Sequence, residues 1–280
     1  MRSLATTIVF TFYSLALAAQ PAGDAVMVSK PLFIPVEKTI FYRLGDRDIQ
    51  LKISQYGNVK DIVCINLHDN ETTSVQAARA VLEEKGGTLI KIENKQQRII
   101  RFRLRGVVYS FDPNRIFSRT GIEQTLIDNR RTSREAIGAI EKFAQRMLDL
   151  IPTNHSCIIA LHNNTEEAFS VKSYLPGSDR QFDARAVYKD SLQDVDDIAF
   201  TTDSLLYQRM ADQRYNSIWQ DNQRAKRDGS LSIYCGERSM RYINIETQHG
   251  RVNQYIEMLE KLLEILALEN KRSPDLLEDP

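Results

Sequence analysis

The stretch IVCINLHDNETT, residues 62–73, is almost wholly apolar as far as Leu67 and then turns abruptly to histidine, aspartate, asparagine and glutamate. Such an ending is either an ordinary solvated loop or the point at which a strand delivers chemistry. His68 and Glu71, three residues apart on a turn, can converge on one metal ion. Zinc in hydrolytic sites commonly takes two histidines and a carboxylate, keeping a fourth position open for water or substrate. The second histidine would have to come from elsewhere, and SCIIALHNN, residues 156–164, ends another apolar run on His162. RYINIETQHG, residues 241–250, places Glu246 at the end of a late apolar run, where a carboxylate not used as a ligand could act as a general base. YSFDPNRIF, residues 109–117, places Asn114 and Arg115 after an extended piece. A guanidinium can fork onto a substrate carboxylate, and an asparagine can add a hydrogen bond.

These residues need elements to hold them. FIPVEKTIFYRLGDRDIQLKISQYG reads as strands broken at Gly45-Asp46 and Gly57, and DIVCINL as a short strand covered on both faces. SVQAARAVLEEKGG puts Val75, Ala78, Val81 and Leu82 on one helical face closed by Gly86-Gly87, and TLIKIEN is the next strand. QRIIRFRLRGVVYSF gives two extended pieces. SREAIGAIEKFAQRMLDLI is an amphipathic helix lined by Ala136, Ile140, Phe143, Met147, Leu148 and Ile151. Residues 163–200 read as polar and irregular, followed by a strand at DDIAFTT and a helix at LLYQRMADQRY. DGSLSIYCG and RYINIET read as late strands, and QYIEMLEKLLEILAL as a terminal helix. Strand–helix alternation of this kind predicts one α/β domain with a mixed, mostly parallel central sheet and helices on both faces. In such sheets ligands gather beyond the carboxyl ends of strands, which is where HDNE and LHNN fall.

The chain has 280 residues, with 37 Lys and Arg against 37 Asp and Glu. A formal charge of zero argues against a nucleic-acid binder that relies on bulk positive charge. Arg2 precedes the apolar run LATTIVFTFYSLAL and the small-x-small sequence Ala16-Leu17-Ala18. That pattern reads as a cleavable secretory signal, residues 1–18, with an uncleaved N-terminal anchor as the alternative; the apolar run is too short for a comfortable membrane span. The expected product is secreted or periplasmic, with a domain over residues 19–268, a disordered tail over 269–280 and no stable membrane span after cleavage. Cys64, Cys157 and Cys235 are too few and too scattered for a disulfide framework, and the first two sit in apolar runs as small hydrophobes. His249, His155, Trp219 and the acidic run DVDD at 194–197 read as surface, packing or loop residues, with calcium a lesser alternative for the last. DGSLS, residues 228–232, reads as a turn entering a strand or as part of the cleft wall near Glu246.

HDNE, DPNRIF, ALHNN and INIETQHG together resemble, in order, the motifs of the zinc carboxypeptidases and their aspartoacylase and succinylglutamate desuccinylase relatives. The resemblance spans roughly residues 60 to 262. It implies that His68, Glu71 and His162 hold Zn2+, that Glu246 takes the proton from water attacking an amide carbonyl and passes it to the leaving amine, and that Asn114 and Arg115 hold the substrate carboxylate. The family usually has a further arginine, upstream of the D-x-N-R segment, that polarises the scissile carbonyl. Arg105 is the nearest candidate, although Arg101, Phe102, Arg103 and Leu104 alternate beside it as one solvated strand face would. Neither Tyr234 nor Tyr242 has the spacing of the mobile tyrosine of carboxypeptidases, and HNN stands where many of them have a serine after the histidine.

The expected activity is hydrolysis of an amide bond beside a substrate carboxylate, carboxypeptidase-like and acting on cell-wall or other peptides. Two alternatives remain: an N-acyl amino acid deacylase of the aspartoacylase type, or a binding protein on the same fold that keeps the carboxylate pocket without turnover.

Overall fold

The computed structural model describes residues 32–165 and 169–272. The segment read as a secretory signal lies outside that range, as do residues 273–280. Strands β1 (Val36–Leu44) and β2 (Arg47–Tyr56) form a hairpin, followed by β3 (Ile62–Asn66), helix α1 (Thr72–Lys85) and β4 (Gly87–Glu93). A small hairpin of β5 (Ile100–Leu104) and β6 (Val107–Phe111) then leads through a 3-10 turn, Pro113–Arg115, into α2 (Arg119–Asp128) and α3 (Arg134–Leu148). The chain continues through β7 (Cys157–Asn164), β8 (Ala184–Tyr188), β9 (Ile198–Thr201), α4 (Ser204–Asp212) and β10 (Asn216–Gln220). It closes with α5 (Leu231–Glu237), β11 (Tyr242–Gln248) and α6 (Val252–Arg272).

Nine strands make one sheet in the order β1-β2-β4-β3-β7-β11-β9-β10-β8. The expected mixed sheet is present, but it is parallel only in its middle. β4, β3, β7 and β11 run parallel to one another, as do β9 and β10. The other four neighbouring pairs are antiparallel. The physical reason is the connections. Helix-length crossovers join the central strands, whereas β1 and β2 are linked by a tight turn at Gly45, whose φ is +62°. A side chain on Gly45 would strike the Arg103 carbonyl oxygen, so the turn also seats the β5–β6 hairpin.

Alternation along the central strands divides the interior into two cores. Cys157, Ile159 and Leu161 of β7 join Ile243 and Ile245 of β11 beneath α1, α4 and α6. Ile158 and Ala160 join Tyr242 and Phe200 beneath α2, α3, α5 and the small hairpin. Helices therefore cover both faces. Continuing the period of two, His162 and Glu246 belong to the same side as Ala160 and Tyr242, so the second core ends in chemistry.

Four elements differ from what the sequence predicts. Residues 119–128 form a helix that no pattern marks, and strands β8 and β10 lie in or beside the stretches that read as irregular and helical. DGSLSIYCG reads as a strand, and its later part is α5. Its apolar residues do alternate, with Leu231, Ile233 and Cys235 all buried, but seven residues are too few for periodicity to decide between two folds. The turn at Gly229, with φ +76°, and a hydrogen bond from the Leu231 N–H to Asn114 Oδ1 decide it instead. The terminal helix runs on to Arg272, past the start of the expected tail. All three cysteines are buried and free.

Phe143, wholly buried on α3, contacts the rings of Tyr42 and Phe111, bridging the edge hairpin and β6. Phe143→Ala is expected to cost about 3–5 kcal/mol, read as a lowered urea midpoint with an unchanged slope.

Candidate active site

The apolar run of β3 carries the chain to His68 and Glu71 at the carboxyl end of the sheet. The Glu71 N–H donates to the His68 carbonyl at 3.0 Å, closing the turn that brings their side chains together. Glu71 stands at the start of α1 without capping it by its own side chain, so its carboxylate is free for the site. The Ser74 N–H at that helix end donates to Asn163 Oδ1 of β7, at 2.9 Å. Parallel pairing of β7 with β11 puts Glu246 opposite His162, and β3 is the next strand on the other side of β7. Local sequence and sheet register thus place all four groups at one edge.

His68, Glu71 and His162 are buried, and their donor atoms lie within 4.8 Å of one another. Glu71 accepts from both imidazoles: Oε1 is 2.9 Å from His68 Nδ1 and Oε2 is 2.9 Å from His162 Nδ1. His68 Nε2 sits 2.7 Å from Asp112 Oδ1, so its second nitrogen is fixed by a carboxylate. A histidine held in this way presents a defined nitrogen to a metal, and two imidazoles with one carboxylate are a donor set suited to zinc. The residues fit a metal ion. Burial alone would drive the proton off His68, but the carboxylates of Glu71 and Asp112 outweigh it and raise its pKa. Burial likewise opposes ionisation of Glu71, and the two imidazoles overcome it, holding its carboxyl far below the usual range. A metal ion and a proton would compete for His68, since a ligating imidazole must give up its proton.

Glu246 is different. It is buried, with Oε2 accepting from Asn244 Nδ2 at 3.1 Å, and its carboxyl is pushed up to about 8 by desolvation and then by the Glu71 charge. A cation held by Glu71 would cancel that repulsion and draw Glu246 towards the range of a base.

Glu71, His162 and Glu246 open onto a cleft of about 390 Å³ also lined by Asn114, Arg115, Asp228 and Ser230, with His68 buried behind them. Asp112 connects the two ends of the site. Its Oδ1 accepts from the Asn114 N–H at 2.8 Å as well as from His68, and its own N–H donates to Thr125 Oγ1 of α2. Arg115 Nη2 lies 3.6 Å from Asp228 Oδ2. The turn is clamped by two glycines: a Cβ on Gly121 would fall 2.5 Å from the Gly229 Cα, and one on Gly229 would fall 2.8 Å from the Arg115 carbonyl oxygen. Backbones approach here too closely for any side chain.

All six residues singled out from the sequence, His68, Glu71, His162, Glu246, Asn114 and Arg115, therefore border one region. Arg105 does not. It occupies the turn of the β5–β6 hairpin with φ +47°, its side chain is 86% exposed, and its partner is Glu135 at 3.8 Å. The arginine that reaches the site is Arg98: Nη1 is 2.8 Å from Glu71 Oε1 and Nη2 is 3.2 Å from Asp112 Oδ2. No sequence pattern marks Arg98, which lies in a loop with no periodicity. Asp112 was visible as the first residue of the D-x-N-R segment, although its hold on His68 was not. His249 sits on the cleft wall, its N–H donating to the Asn164 carbonyl. The DVDD run is tied into the fold by its neighbours: Arg251 pairs with Asp194 and Asp197, and Gln248 donates to Asp196.

No protein-family model matches the chain, and no curated protein sequence does. Among solved structures, a protein of Shewanella amazonensis SB2B, provisionally described as a metallopeptidase, is 11% identical, with 82% of this chain and 85% of that one covered at a TM-score of 0.37. An aspartoacylase family protein of Mesorhizobium loti is 12% identical, covering 85% of this chain and 68% of that one at a TM-score of 0.44. The chain resembles the zinc carboxypeptidases and aspartoacylases. Overlaps this loose say nothing of chemistry, and the resemblance rests on the four motifs and where the fold puts them.

Asp112→Asn is expected to weaken metal binding by roughly 10- to 100-fold, because His68 loses the carboxylate that fixes its orientation; competition against a chromophoric chelator measures it. A second expectation concerns pH. Glu246 has an ordinary value of 4.5 and a folded value of about 8, so the metal-free fold binds this proton more tightly than the unfolded chain does. Its contribution to stability is complete below 4.5 and is lost as pH rises through 8. Metal-free Glu246→Gln, which does not titrate, should gain in Tm over the wild type between about pH 5 and pH 8; melts across that range check it.

Proposed function

We propose that this chain is a zinc-dependent hydrolase that releases the C-terminal residue of a peptide by cleaving the amide bond next to its carboxylate. The observation that carries the reading is the register of β7 and β11. It sets a buried, raised-pKa carboxylate at Glu246 directly beside the His68–Glu71–His162 group, with a guanidinium and an amide in the same cleft. Zinc, when bound, supplies a Lewis acid that polarises a carbonyl and lowers the pKa of water.

The chain's own residues do the rest. Arg115 and Asn114 receive the terminal carboxylate; Asn114 Oδ1 is already engaged by the Leu231 N–H, which turns its amide hydrogens to the cleft. Asp228, close to Arg115, holds the guanidinium in place until an anion arrives. Arg98, gripping Glu71, is the positive group best placed to meet charge developing on the scissile carbonyl oxygen. Glu246 takes a proton from the attacking water at its carboxylate and returns it to the departing amine nitrogen, so that a neutral amine leaves. Burial of Glu246 and its neighbours keeps bulk water from competing for that proton. The export signal read at residues 1–18 supports a peptide substrate outside the cytoplasm.

The test is a panel of peptides and N-acyl amino acids with and without a free terminal carboxylate, offered to the zinc-loaded wild type and to Glu246→Gln. Release of C-terminal residues by the wild type, reduced roughly 10²–10⁴-fold in the variant with zinc content unchanged, is the expected outcome. Equal turnover of amidated peptides would remove the carboxylate subsite from the reading. Turnover confined to N-acyl amino acids would shift it to a deacylase.

A further inference from the structure

Asp69 stands between the two metal-ligand residues His68 and Glu71, yet it faces away from both. It is 3% exposed, and its carboxylate is spent on another part of the chain. Oδ2 accepts the N–H of Asn94 at 2.6 Å and that of Gln96 at 2.8 Å. Oδ1 pairs with the Lys91 ammonium, which also reaches Glu93 at 3.0 Å. The segment Asp69 grips is the loop leaving β4, and its backbone is unusual. Lys95 and Gln96 adopt φ values of +56° and +55°, two consecutive residues in the left-handed region, neither of them glycine. Such a conformation is strained for any residue but glycine and persists only where its surroundings enforce it. Asn94 supplies a second internal brace, its Nδ2 donating to the carbonyls of Gln97 and Ile99 at 2.8 and 3.0 Å.

This braced loop ends in Arg98. The guanidinium leaves the loop, remains 44% exposed, and comes to rest on Glu71 Oε1 and Asp112 Oδ2. A long side chain that exposed has many rotamers, and a loop free to move would scatter them further. We infer that Asp69 is a positioning residue: by binding the Asn94 and Gln96 amides of the strained 94–97 turn, it sets the loop that carries Arg98 onto the Glu71 carboxylate. The tetrapeptide HDNE then does two jobs, giving two ligands from its ends and anchoring the neighbouring arginine through its second residue. The inference deepens the hydrolase reading, in which Arg98 acts on the substrate carbonyl, but the anchoring itself can be tested without any substrate.

The variants are Asp69→Asn, Arg98→Ala and the double variant. Asp69→Asn keeps the side-chain shape, and Lys91 keeps Glu93 as a partner, so the fold survives the change. Two readouts are needed. In the first, hydrogen exchange, the Asn94 and Gln96 amides should lose at least about tenfold of their protection in Asp69→Asn and keep it in Arg98→Ala. The second is zinc affinity, measured with the metal alone. Arg98 places a positive charge on a ligand oxygen and so opposes a dication. Removing that charge should tighten zinc binding by roughly tenfold, the size of a Coulomb repulsion between charges a few ångströms apart near a protein surface. If Asp69 works through Arg98, Asp69→Asn tightens binding too and adds nothing in the Arg98→Ala background. A role through charge alone has the opposite sign, because loss of a nearby anion weakens binding of a cation.

Unchanged exchange at Asn94 and Gln96, or equal effects of Asp69→Asn in the two backgrounds, would overturn the inference. A wild type that takes up no zinc would sink the hydrolase reading, while the exchange measurement would still decide whether Asp69 holds the loop.

Discussion

One buried carboxylate organises this molecule. Glu71 is 1% exposed and is shared by two imidazoles and a guanidinium. A charge so placed is expensive to desolvate, and the expense is offset only if each oxygen is met by good partners. His68 comes from the turn after β3, His162 from β7 and Arg98 from the loop after β4, so satisfying this group requires adjacent strands of the sheet to be in register. The same demand spreads outwards. His68 is fixed by Asp112, Asp112 by Thr125, and the turn containing Asn114 by Asp112 in its turn. The site is one connected hydrogen-bonded structure rather than a set of residues that happen to meet.

How much of this the sequence reveals depends on whether a residue obeys a period. His162 and Glu246 continue the alternation of Ile158 and Ala160 and of Tyr242 and Asn244, so their common side and common edge follow from strand geometry. His68 and Glu71 follow from their spacing on a turn. Arg98 lies where no period runs, and only the folded loop reveals its direction. Arg105, by contrast, follows a visibly alternating stretch and so stands out in the sequence. The β5–β6 hairpin projects Arg105 outward because its turn needs a residue in the left-handed region.

The extent of parallel pairing was also overestimated, for a related reason. A continuous apolar run indicates that both faces of a strand are covered, and it does not indicate which way the neighbour points. β9 is buried at every residue, yet it pairs antiparallel with β11 and parallel with β10. Helix α5 shows the opposite limit, where seven residues with alternating burial were too few to reveal their fold.

The close approach of Gly121 and Gly229 has a consequence for how such a protein can change. It fastens the turn bearing Asn114 and Arg115 against the start of α5, on elements other than those that bear His68, Glu71 and His162. The turn with Asn114 and Arg115 and the His68–Glu71–His162 group therefore stand on different elements, linked through Asp112. Residues in the loops around Asn114 and Arg115 can therefore vary without touching His68, Glu71 or His162, while the glycine contact resists any gradual change because every side chain is too large. The variable rim turns around a fixed pivot.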